Sequence, residues 1–148
     1  MLMAVSEFER LFRQAASLDV DKDDLKRVSE FLTKKIYDLL VVAEKNAKYN
    51  ARDIIYRPDL PITKGLEETI HEFERMEVAL KLEPVLDQLA KLPPLDLEVG
   101  DDVREVLPKL AGALVVALAR VLKELDPNLK NPQTEHWERA ERVFDLLL

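Results

Sequence analysis

Glu67, Glu68 and His71 contain a Glu-x-x-His spacing, which on a helix puts a carboxylate and an imidazole on one face. Helical di-metal sites use that spacing, but they need it twice, with two further carboxylates on facing helices. The second histidine, His136, follows Glu135 directly and has no Glu three residues before it. A metal site is therefore not expected, and an exposed polar helix face is the simpler reading. Ser6, Ser17 and Ser29 lack a nucleophile-elbow context. Gly65, Gly100 and Gly112 are isolated, so no phosphate-cradling loop can be written. The chain has no cysteine, which removes thiolate nucleophiles, thiolate zinc sites and disulfides. No catalytic residue or cofactor is expected, and the chain does not read as an enzyme.

Phosphate binding is the remaining chemistry. Nonspecific DNA affinity comes mostly from Lys and Arg neutralising phosphates. Candidate cations are Arg10 and Arg13 in the first helical segment, and Lys45, Lys48, Arg52, Arg57 and Lys64 around residues 45–64. Of these, Arg10, Arg13, Lys48 and Arg57 are the candidate DNA contacts. Against them stands a net charge of −7, divided as −2 over residues 1–76 and −5 over 77–148. A solvated mixed-charge surface and a localised DNA contact both stay open.

Elements of helical period must position these groups. Phe8, Leu11, Phe12 and Ala15 form an amphipathic stripe ending near Ser17. Asp21-Lys22-Asp23-Asp24 supplies a cap and first-turn acids. Leu25, Val28, Leu32, Ile36, Leu39, Leu40, Ala43 and Ala47 then continue one stripe with no Pro or Gly over residues 22–50. This predicts a helix of about 28 residues, against a mean of about 11–12. Residues 51–56 read as a short extended loop. Arg57-Pro58-Asp59-Leu60-Pro61 reopens a helix whose stripe is Leu66, Ile70, Phe73 and Met76.

The second half repeats the order. Leu80, Leu82, Val85, Leu86 and Leu89 make a short helix stopped by Pro93-Pro94. Gly100-Asp101-Asp102 opens a second long helix ended by Asp126-Pro127, with Pro108 either kinking it or marking a later start. Residues 134–148 make the last helix, with Trp137, Ala140, Val143, Phe144 and Leu147 on its apolar stripe. An offset of 78 superimposes Leu32 on Leu110 and Ile36 on Leu114, which reads as a degenerate two-fold repeat. The small residues Ala111, Gly112, Ala113, Ala117 and Ala119 suggest close approach where the two long helices cross.

Asn50-Ala51-Arg52-Asp53-Ile54-Ile55-Tyr56-Arg57-Pro58-Asp59 resembles the second-loop signature of archaeal-type histones, where a loop arginine pairs with an aspartate seven residues on. The resemblance implies that Arg52 and Asp59 clamp the loop to the next helix. It further implies an all-α histone fold: one domain over 1–148, with a first motif at 1–76 and a degenerate second at 77–148, fused as a single-chain pseudodimer. An uncharacterised bacterial histone-fold family of this size is similar. The chain departs from the DNA-packaging pattern: Asp53 stands where a DNA-facing lysine follows the loop arginine, Ile54 replaces a threonine, and Leu129–Thr134 carries no second clamp.

Two functions follow from this resemblance. One is a non-enzymatic histone-like protein acting in protein association, by self-association or with protein partners, with duplex DNA bound weakly or not at all. The other is a nucleoid-associated DNA binder using the basic loop residues. Glu7 and Glu9 follow Met1-Leu2-Met3-Ala4-Val5 too soon for a signal peptide, and the longest apolar run, Leu110–Ala119, is shorter than a membrane span. A cytoplasmic or nucleoid protein is expected. High charge, no Cys and few Asn and Gln suit a thermophile.

Overall fold

The computed structural model describes residues 3–148; Met1 and Leu2 of the N-terminal segment and the side chain of Leu82 lie outside it. The chain order is α1 (Val5–Ala16), α2 (Lys22–Tyr49), β1 (Ile54–Ile55), a 3-10 turn (Arg57–Asp59), α3 (Lys64–Arg75), α4 (Leu82–Leu89), β2 (Glu98–Val99), α5 (Asp101–Leu125) and α6 (Thr134–Leu147). The fold is all-α, with one two-stranded parallel sheet.

α2 starts where its cap dictates. The Asp21 carboxylate accepts from the amides of Asp23 and Asp24, and Asp24 answers through the Asp21 amide. It then runs 28 residues to Tyr49 without interruption. α5 is the hub of the core, packing against α1, α2, α3 and α6. Residues 110–116 are all buried, because a helix apolar on every side must be covered on every side. The apolar run Leu110–Ala119 is thus interior.

Two details differ from the sequence expectation, and one alternative it left open is resolved. The chain does not resume a helix at Arg57; it makes one 3-10 turn and then stays extended at Leu60, whose ψ of 130° suits a residue before proline. α3 begins only at Lys64, after the Thr63 hydroxyl takes the Leu66 amide at 3.2 Å. Pro108 does not mark a later start: α5 begins at Asp101 and contains it. Finally, the small residues of α5 do not serve only α2. At Gly112 a side-chain carbon would collide with the Phe73 ring, so that glycine admits α3.

The halves repeat in order but not throughout in spacing. The long helices start 79 residues apart (Lys22, Asp101), the last helices 70 apart (Lys64, Thr134). The second half has no counterpart of the strand and 3-10 turn between its last two helices. Between α4 and α5 the chain crosses α2 as a strap. The Tyr37 hydroxyl donates to the Pro93 carbonyl at 2.8 Å, Glu44 accepts from the Leu97 amide at 3.0 Å, and Lys48 reaches Asp96 at 2.7 Å.

Candidate functional site

At the end of α2, Ala51 adopts a left-handed φ of 57°. Its amide donates to Lys48 O and the Arg52 amide to Ala47 O, each at 3.0 Å. This reverses the chain and turns Arg52 toward the 3-10 turn. There its guanidinium forks onto Asp59: Nη1 donates to Oδ2 at 2.5 Å and Nη2 to Oδ1. Asp59 is only 3% exposed, and its Oδ2 also accepts the Tyr56 amide at 2.8 Å. The Asn46 side chain donates to its carbonyl at 2.8 Å. Arg52 lies 5.6 Å over the Tyr56 ring, so its apolar face is covered as well. The guanidinium, then the Tyr56 amide, hold the Asp59 carboxyl below the usual carboxylate range against the effect of burial.

The clamp fixes a loop junction. Ile54 and Ile55 pair in parallel with Glu98 and Val99, and the Gly100 amide donates to Ile55 O at 2.8 Å. A side chain at Gly100 would press on Tyr56, the Ile55 carbonyl and the Asp102 carboxylate at 3.0–3.2 Å, so a larger residue at the strand-to-helix corner would have to shift them by a few tenths of an ångström. Asp102 in turn accepts the Arg57 amide at 2.9 Å. At the other junction the Asp19 amide donates to Lys130 O at 2.7 Å, joining the α1–α2 loop to the α5–α6 loop.

Both junctions are acidic. The first exposes Asp53, Glu98 and Asp101. The second has a cavity of about 280 Å³ lined by Asp19, Asp21, Asp23, Asp24, Arg27 and Trp137, among others. Burial raises the Asp24 pKa, and the like charges of Asp21 and Asp23 push the same way.

The candidate DNA contacts fall on three elements. Arg10 is exposed on α1, and Arg13 faces Asp19 at 3.8 Å. Lys48, at the end of α2, is held by Asp96 at 2.7 Å and Glu44 at 3.7 Å. Arg57, in the 3-10 turn, is exposed beside a groove of about 530 Å³ that also takes in Glu67, His71 and Glu74. Glu68 of the Glu-x-x-His pair is engaged by Lys64 at 3.0 Å. Among the described residues no cluster of three ligand-type side chains could hold a metal ion. His136 takes the Gln133 amide on Nδ1 at 2.9 Å, a helix-capping contact.

Periodicity alone overlooked Lys35. It is 2% exposed, and its Nζ donates to Asp145 of α6 at 2.5 Å and to Asp38 at 3.5 Å. The signal was present: Val28, Leu32, Lys35 and Leu39 fall on one core stripe, with a lysine in an apolar slot. Trp137 is 1% exposed and stacks edge-on against Phe12 at 5.7 Å, as a core residue. Among the described residues no helix is long and apolar enough to cross a membrane.

The chain is similar to other proteins. A crystal structure from Thermus thermophilus is 77% identical, covers both chains fully and has a TM-score of 0.95. The structure of a histone from Methanopyrus kandleri is 14% identical, covers 93% of this chain and 92% of its own, and has a TM-score of 0.59. At that identity it shows a shared histone-like fold and no more. A protein of Aquifex aeolicus (strain VF5) is 33% identical over 145 residues, covering 88% of this chain and 83% of its own. Because the model of the domain of unknown function DUF1931 also matches residues 8–145, nearly the whole fold described above, the chain belongs to that family.

Proposed function

We propose that this chain is a non-enzymatic, histone-like protein that acts through association with protein. Its segments 1–76 and 77–148 pair within one chain as a pseudodimer, and duplex DNA is bound weakly or not at all. The carrying observation is the fate of the cations at the paired loops. Arg52 is committed to Asp59, Lys48 to Asp96, and Arg13 lies near Asp19. The exposed loop residues Asp53, Glu98 and Asp101 are carboxylates. A phosphate backbone approaching either junction meets like charge, and the whole chain adds −7. Support for the pairing comes from α1 and α3 of the first segment, which pack on α5 of the second. The histone-like fold alone assigns no DNA role.

The alternative, a nucleoid-associated DNA binder, is favoured by Arg10 and Arg57, which are exposed and form no ion pair among the described residues. Duplex binding followed by fluorescence anisotropy across a salt series separates the two. Binding is expected only at low salt, with release by ~150 mM and a log–log slope no steeper than about −3 to −4, since each phosphate contact adds roughly −0.9. Asp53→Lys should strengthen low-salt binding if the loop faces the duplex. Submicromolar binding at ~150 mM salt would overturn the association reading and establish the alternative.

A further inference from the structure

The most exposed large aliphatic side chains among the described residues sit together at the end of α6: Leu146 is 85% and Leu147 75% exposed. They are not loose in their setting. Phe144 packs edge-on against Phe31 at 5.1 Å and Asp145 is bound by Lys35, so the last turn of α6 is presented on a fixed base. A helix end also carries carbonyls without helical partners and the negative pole of its dipole.

A slot of about 250 Å³ lies between α2 and α4, with an apolar floor that includes Leu25, Pro84 and Val85; Lys26 at its rim also borders the cavity lined by Glu141 and Asp145 of α6. Ser29, Thr33 and Gln88 also line the slot. Its charged residues are Lys22 and Lys26, both exposed and neither in an ion pair among the described residues. In a chain of net charge −7, a cavity whose described lining is cationic, with no carboxylate, stands apart. The slot takes no lining residue from α6. With α6 pinned through Phe144 and Asp145, its leucines stay out of the slot of their own chain.

We propose that the end of α6 docks into the α2–α4 slot of a second copy of this chain. Leu146 and Leu147 supply the apolar anchors, and Lys22 and Lys26 meet the free carbonyls and the dipole of the helix end. The contact joins two different faces, so it is heterologous and repeats head to tail unless one face is removed. This deepens the protein-association reading and rests on it, by naming a second copy as a partner.

Analytical ultracentrifugation of the intact chain over rising concentration tests it. Average mass should rise toward the millimolar range, as a small contact of this kind is weak. The substitution pair Leu146→Glu with Leu147→Glu should weaken association at least about tenfold, and so should Lys22→Glu with Lys26→Glu. All four positions are exposed, and thermal melts of each variant check that the fold is retained. The decisive sample is a one-to-one mixture of the two double variants. One keeps the slot and the other keeps the leucines, so the mixture should form a dimer that grows no further. A mixture no heavier than its components overturns the proposal, as does an unmodified chain that stays monomeric at ~1 mM. Association untouched by either variant pair does so too, by placing the contact on another face. None of these results decides whether duplex DNA is bound at physiological salt, so failure here and failure of the wider reading remain distinct.

Discussion

Lys35, on the buried stripe of α2, donates to the half-exposed Asp145 of α6 at 2.5 Å, and so an ammonium with almost no water contact fastens the last helix to the first long one. The two partners are not equivalent. Removing Asp145 strands a buried charge with only Asp38 at 3.5 Å, whereas removing Lys35 strands a carboxylate that water and Lys34 can still reach. Asp145→Asn should therefore destabilise by about 2–4 kcal/mol, and Lys35→Met, an apolar filling of the slot, by under about 1 kcal/mol. Urea unfolding of both variants checks the asymmetry; equal losses would contradict it.

The pair also fixes a pH response. The Lys35 and then the Lys34 ammonium hold the Asp145 carboxyl below its ordinary value, and Arg52 does the same for Asp59. Lowered native pKa values bind protons less readily than the unfolded chain does. Their stabilisation is therefore complete above the unfolded carboxyl value of about 4 and fades as pH falls through the lower native values. The contribution of these two carboxylates to melting temperature should be complete from neutral pH down to about 5 and be lost below about 4, while Asp24, whose native pKa is raised, acts in the opposite sense as pH falls. In Asp145→Asn the acid drop should be shallower.

Asp59 joins the guanidinium, the Tyr56 amide and, through its carbonyl, Asn46. Asp59→Ala should cost about 2–4 kcal/mol, because a buried amide and a committed arginine lose their acceptor together. Arg52→Lys keeps the charge but not the fork, and should also lower the melting temperature measurably.

Ala51 holds a φ of 57°, a conformation that glycine adopts freely and alanine does not. Ala51→Gly should stabilise by about 0.5–1 kcal/mol, read as a raised midpoint in urea with an unchanged slope. Ala51→Val should do the reverse.

Gly112 faces the Phe73 ring at a separation too small for a methyl group. Gly112→Ala should cost about 1–3 kcal/mol by displacing the ring. The double variant Gly112→Ala with Phe73→Leu should recover part of that loss if the clash is its cause.

How far the sequence could be read follows from where the determinants lie. α2 was legible to within about a residue because its cap, stripe and lack of breakers are all local to residues 21–50. The clamp was legible only through its resemblance to a histone loop, since nothing in the spacing of Arg52 and Asp59 demands a contact. The parallel pairing of Ile54–Ile55 with Glu98–Val99 was not, because two-residue strands leave no alternation to detect. The late start of α3 was misread because Pro58 favours a helix opening while Pro61 forbids its continuation, and the second effect prevailed. Lys35 was not singled out, because its partner lies 110 residues on.

The strap of residues 90–99 is held to α2 at three points, by Tyr37, Glu44 and Lys48. A loose tether lets the parts it joins exchange with those of a neighbouring molecule. A tether fastened along its length keeps the effective concentration of α5 beside α2 far above that of any α5 from another molecule. Exchange of α5 between chains is thereby suppressed at its source, and crowding many copies together should not tangle them.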